Sequence, residues 1–150
     1  MFMNNYPSWW NETLTVYNKY TDPQTKVITW HRHVIDGCFW KYVGEKVHIN
    51  NTILETKDII CRIPKRDDFM EKYLWNDLPN DTMNDYFTLG ENDIIIKGEV
   101  SDIIDEYTSG SRSSDVVNKY KALQGCMTIN RVAINVDGGR GNEHYYVKGT

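Results

Sequence analysis

Strong helix formers are scarce: alanine occurs twice and leucine six times in 150 residues. Isoleucine, valine and threonine together supply 37. That imbalance excludes a helical bundle and favours strands, where β-branched side chains pack well. Cysteine is limited to Cys38, Cys61 and Cys126, odd in number, far apart and without a C-x-x-C pair. Neither a zinc ribbon nor a redox pair is indicated, and buried thiols in a reducing compartment fit better. No run approaches the ~20 apolar residues of a membrane-spanning helix. Met1–Trp10 lacks the positive start and long apolar run of a secretory signal. A soluble chain synthesised in the cytoplasm is expected.

Basic clusters are also missing. The formal charge is −4, from 17 basic and 21 acidic residues, and it is unevenly spread. Residues 1–66 carry +3, residues 67–106 carry −10, and residues 107–150 carry +3. No stretch has the clustered Lys/Arg of a nucleic-acid footprint, and the acidic middle repels phosphate. Specific DNA binding is not expected.

What is present is strand chemistry and aromatic surface. Hydrophobic residues make up 40% of the chain and charged residues 25%, with five Trp and ten Tyr. One globular domain follows from that length and composition, and aromatic excess is common at interfaces. Residues 1–12 read as an extended N-terminal arm, and residues 13–150 as a single β domain. Val27, Thr29, His31, His33 and Ile35 alternate with Ile28, Trp30, Arg32 and Val34, the period of a strand. Asp36-Gly37 marks a bulge or bend before Cys38–Tyr42 resumes, and Asn50-Asn51 marks a turn. A first strand is expected at Thr13–Tyr17, two more over Glu45–Glu55 and Asp58–Ile63, and others at Phe87–Leu89, Asp93–Val100, Cys126–Asp137 and Glu143–Lys148, with Ile103-Ile104 continuing the Asp93–Val100 strand or starting another. Residues 65–85 form a long acidic loop, and long loops in strand-dense chains are usually functional. Residues 108–125 form a loop–helix insertion, with Ser114 or Asp115 as its cap and Gly125 at its end. The expected architecture is all-β with one short helix: a small antiparallel barrel or sandwich of roughly eight strands with long loops.

Chemical motifs are weak throughout. His31-x-His33 places two imidazoles on one strand face, within conceivable reach of His48 or His144. No carboxylate or thiol has ligand spacing to them, so satisfied or interfacial histidines are the better reading. Asp77, Asp81 and Asp85 recur every four residues, but Pro79 and Asn80 oppose a helix and the order of a calcium loop is absent. A solvated acidic loop explains them. Gly138-Gly139-Arg140-Gly141 lies between two strand patterns, as a hairpin rather than a phosphate loop. Ser111-Arg112-Ser113-Ser114 is faintly similar to the Arg-Ser-Ser element of dUTPase-like β proteins, whose other motifs are missing. A flexible loop capping a helix accounts for it. No nucleophile has a base at a motif-defined distance. Neither a catalytic site, a metal nor a cofactor is expected. Trp9, Trp10 and Trp75 lie in segments that look extended or looped. They admit two readings, core packing or aromatic anchors in a neighbour's pocket.

Three segments in order carry a resemblance. Leu14–Lys19 with Trp30–Ile35 and Phe39-Trp40 resembles the opening hairpin of tailed-phage head–tail connector proteins. Ile60-x-x-Ile63-Pro64, then an irregular loop and Gly90–Gly98, resembles their central strand. Ile129-x-x-Val132 and Val136–Gly149 are similar to their closing hairpin. The similarity spans about residues 13–149 and is nearest to the head-closure (head-completion) group. It implies a structural virion protein of the neck, in a ring with copies of itself. The portal or adaptor ring lies on one side and tail proteins on the other, and packaged DNA passes nearby without specific binding. A tail-terminator or minor capsid role and a stand-alone binding module are the alternatives. The longer acidic loop and the Trp-rich arm depart from the family. Interface contacts are expected from Trp9, Trp10, Asp67, Asp68, Trp75, Asp77, Asp81, Asp85, Arg112, Tyr120 and Arg140. Unequal segment charges would suit pairing between ring neighbours, or acidic residues would line a conduit that DNA does not stick to.

Overall fold

In the computed structural model, residues 6–123, 125–136 and 143–150 are described. The architecture is a closed antiparallel barrel with strand order β1-β2-β3-β6-β5-β4. Its strands are β1 (Glu12–Thr21), β2 (Ile28–Ile49), β3 (Thr52–Pro64), β4 (Ile94–Lys97), β5 (Cys126–Asn135) and β6 (His144–Gly149). Among the described residues, two helices, α1 (Lys72–Trp75) and α2 (Ser113–Lys121), and a 3₁₀ turn at Met83–Asp85 lie in the connections.

The expected eight strands become six for identifiable reasons. β2 is one strand of 22 residues that serves two partners, β1 through Ile28–Cys38 and β3 through Phe39–Ile49. Gly37 makes this continuity workable. Its φ of +74° suits glycine, and the β1–β2 register slips there, between Leu14↔Ile35 and Glu12↔Cys38. Asn50 and Asn51, with φ of 48° and 64°, form the two-residue turn into β3. Positive φ at both positions matches the right-handed strand twist. Ile103-Ile104 forms no strand, and Phe87 makes only an isolated bridge to Phe69.

Alternation fills the barrel. Leu14, Val16, Ile35, Cys38, Cys61, Ile63, Ile95, Met127, Ile129 and Val147 are all buried in one cluster. A second cluster lies outside the sheet, where Tyr17, Ile94, Ile96 and Cys126 meet Ile104 and Val116 of the 98–121 connection. The helix within residues 108–125 is therefore packed rather than loose. Its N-cap is Arg112, which makes no side-chain cap bond, and not Ser114 or Asp115. Glu106 Oε1 takes that role from outside, accepting from the Ser113 N–H at 2.7 Å.

The arm also differs from expectation. Over residues 6–11 it turns back, with Trp10 N–H donating to Pro7 O at 3.0 Å. Trp10 stacks on Tyr6 at 5.3 Å and meets Phe39 and His144 at 6.3 and 5.6 Å. Arg140 and the Gly138–Asn142 hairpin lie outside the described residues.

Candidate assembly surfaces

Residues 65–93 close one end of the barrel. An open barrel end would leave Ile63 and Tyr145 wet, and the segment supplies Phe69 and Phe87 to cover them. Phe69 stacks on Tyr145 at 4.0 Å and meets Phe87 at 5.4 Å. Trp75 is 0% exposed. Its indole N–H donates to Met83 O at 3.2 Å and Tyr86 O at 3.1 Å. The anchor reading of Trp75 is thereby corrected: a turn of helix and a 3₁₀ turn fold the connection around it, so it belongs to the core. The loop is a lid with polar residues outside.

Asp93 pins that lid. It is fully buried and receives Lys72 Nζ at 2.9 and 3.1 Å, Lys19 N–H at 2.9 Å, Asn18 Nδ2 at 3.0 Å and Gly90 N–H at 3.0 Å. Burial pushes its carboxyl pKa up, against the opposing pull of Lys72 and these donors. The Lys72 stem crosses Gly90 so closely that a Cβ there would lie 2.9 Å from Lys72 Cδ. The Gly90–Asp93 turn noted for its resemblance thus does a structural job.

Beside the lid, Asp68 accepts from Arg66 at 2.8 and 3.0 Å and faces His33 Nε2 at 3.1 Å. The Arg66 hydrogen bonds, then that of His33, hold its pKa below the usual range against partial burial. His31 pairs with Asn84 Oδ1 at 2.7 Å and edges onto Trp75 at 5.3 Å. His48 lies out on an exposed strand, and His144 sits against Trp10. The imidazoles are not gathered, and no metal-holding group of three or more His, Cys, Asp or Glu occurs among the described residues.

Asp67, Asp77, Asp81 and Asp85 are exposed on the lid. They lie in no ion pair among the described residues. Tyr73 and Leu74, on the same segment, are 66% and 48% exposed. Trp9 is 65% exposed, and Arg112 is exposed at the start of α2. Tyr120 packs into the outer cluster and its hydroxyl donates to Asp102. The structure therefore brings the acidic residues together on the lid, and leaves Trp9, Arg112 and Tyr120 elsewhere.

Two surfaces were not expected. Before Ile59, β3 pairs only with β2 among the described residues, so Val43–Asp58 extends past the barrel as a two-stranded ribbon. Its tip exposes Ile49, Ile53 and Leu54 by 49%, 59% and 50%. At its base, Tyr42, Lys57, Ile59, Lys121 and Cys126 line a cleft of about 530 Å³. The second surface is a row across the outer face: Lys41↔Ile60↔Lys148↔Arg131. Beside it, Arg62 lies between the Phe39 and Tyr146 rings at 5.3 and 5.4 Å. Strand lengths of 22 and 13 residues against six in β6 are the signal that would have found the ribbon. The row has no local signal, since register alone assembles it.

These features define an all-β barrel protein with a projecting ribbon and charged faces, and with no helix among the described residues long and apolar enough to cross a membrane. More particularly, residues 9–150 match the model of a Family of unknown function (DUF6751), and the chain belongs to that family. Neither the curated proteins nor the solved structures contain a match to it.

Proposed function

We propose that this protein is a structural subunit of the neck of a tailed phage, one that forms a ring between the portal or adaptor complex and the tail, closes the head and offers the tail its docking surface. The reading joins the ordered resemblance over residues 13–149 to one structural observation, the ribbon. A ribbon with exposed Ile49, Ile53 and Leu54 and two unpaired edges is a liability in a protein that works alone. In a ring it becomes the element that reaches a neighbour, because closed rings need a heterologous contact between two different patches. The packed underside of the lid and the pinned Asp93 hold that barrel end closed while the ribbon engages. DNA passes through such a ring without being gripped.

The test is a shortened ribbon, with residues 44–57 replaced by Asn-Gly so that the Val43↔Asp58 pair closes directly on a tight turn. The barrel core is untouched, so the variant folds and melts like the parent. In a phage lacking the native copy it leaves heads and tails unjoined. Infectious particles at the parental titre would refute the reading. Density for the chain at the tail tube's end or in the head shell would reassign it to a tail terminator or a minor capsid protein.

A further inference from the structure

The outer face of β2, β3, β6 and β5 has the anatomy of half an interface. Lys41, Lys148 and Arg131 are exposed around a half-buried Ile60, and Arg62 lies between two rings. Lys148 reaches one carboxylate loosely, Asp58 at 3.6 Å. Lys41, Arg62 and Arg131 have no ion pair among the described residues. An apolar centre with a charged rim is how protein partners are met. A duplex contact instead relies on cations over a surface that the rest of the molecule does not oppose, and here the net charge is −4.

The lid of the same molecule is the matching half. Tyr73 and Leu74 stand exposed on it, and the exposed Asp77, Asp81 and Asp85 of the same segment are in no ion pair among the described residues. The lid closes one barrel end, whereas the cationic row runs across the barrel's flank, so one copy's lid cannot cover its own row. We infer that the acidic lid of one subunit docks on the cationic flank of a second copy, Tyr73 and Leu74 against Ile60 and Tyr146, with the carboxylates facing Lys41, Lys148 and Arg131. The contact is heterologous and so propagates in one direction, as ring closure demands. Complementary charge fixes its register and partner choice. The inference rests on the ring reading for its biological setting, but it concerns contacts between copies that the protein shows by itself.

The experiment uses the full chain at high concentration, by sedimentation velocity at about 20 mM and about 500 mM NaCl, where screening lengths differ severalfold. Self-association is expected at low salt and lost at high salt. Either K41E/K148E or D77K/D81K/D85K weakens it by at least about tenfold, the range of close interfacial charge pairs. A chain carrying both reversals recovers the parental constant. Zero-length carbodiimide coupling of mixed ¹⁴N and ¹⁵N protein joins Lys41 or Lys148 to Asp77, Asp81 or Asp85 across isotopes. A monomer at every concentration and salt, no recovery in the combined variant, or duplex DNA binding abolished by K41E/K148E would each overturn the inference. Neck density in virions without these cross-links would remove this contact and leave the ring. Cross-links without neck density would do the reverse.

Discussion

Asp93→Ala is the substitution whose cost the structure specifies most fully. The carboxylate is 0% exposed and takes Lys72 Nζ at 2.9 Å along with two backbone N–H groups and the Asn18 amide. Truncation strands the Gly90 N–H and one N–H of the Asn18 amide, whose Nδ2 keeps its bond to Thr88 O, at about 1–3 kcal/mol for each buried donor left unmet. The Lys72 ammonium, with a side chain 26% exposed, recovers some water. Breaking a buried pair from one side costs about 3–5 kcal/mol, and we take about 4. At about 2–4 °C per kcal/mol for a domain of this size, Tm falls by about 8–16 °C in scanning calorimetry. Asp93→Asn keeps an acceptor and loses the charge, so its fall is smaller. A cycle with Lys72→Met has a coupling energy of about 1.5 kcal/mol or more. Lys72→Met also has a signed pH signature. Without Lys72, burial raises the folded Asp93 pKa further above its unfolded value. The folded state then binds more protons than the unfolded state, so stability rises as pH falls through that window. The Lys72→Met deficit therefore shrinks as pH falls from neutral toward the raised folded pKa of Asp93. An Asp93→Ala Tm within about 3 °C of the parent, or additive single variants, would refute the pin.

Gly149 lies where β6 pairs with both Ile59 and Ile129, and a Cβ there would sit 2.3 Å from the Thr128 carbonyl oxygen. Gly149→Ala forces backbone apart and costs at least about 1–3 kcal/mol by urea unfolding; an unchanged midpoint contradicts the strand closure. Burial pushes Cys38 and Cys126 to about 12 and Cys61 well above its ordinary value. Native protein at pH 8 is therefore inert to a thiol-reactive dye and reacts at three thiols once unfolded; one fast native thiol would argue against the core assignment. Asp68 has a folded pKa below its unfolded value of 3.8. Its contribution is complete above that value and is lost as pH falls through the lower folded pKa. Asp68→Asn accordingly lowers Tm at pH 7, and its gap to the parent closes toward pH 3; a constant gap would show that the Arg66 and His33 contacts are not the cause.

Much of the fold was legible because its determinants are local. Period-two alternation marked Ile28–Ile35 and Asp36-Gly37 marked the bulge, while Asn50-Asn51 marked a turn inside the strand expected over Glu45–Glu55, which the structure divides there between β2 and β3. The helix within residues 108–125 followed from a capping Ser or Asp at its start and Gly125 at its end, although α2 stops at Lys121 and its N-cap is Arg112. What escaped was set by distance in sequence. Trp75 sits among Asn, Asp and Pro, and nothing local shows that Tyr20 and His31 come to meet it at 6.2 and 5.3 Å. Likewise Lys41, Ile60, Lys148 and Arg131 become neighbours only through the register of four strands. The acidic segment was read correctly as exposed at Asp77, Asp81 and Asp85. Its apolar residues were misjudged, because a lid and a loop share a composition and differ in what lies beneath.

The central claim concerns where the protein stands, and electron cryomicroscopy of purified virions tests it directly. The account predicts a ring of six-stranded barrels between portal and tail, with each Val43–Asp58 ribbon lying on the adjacent subunit. Infectious virions whose neck is fully assigned to other chains, with this one absent from the particle, would contradict it.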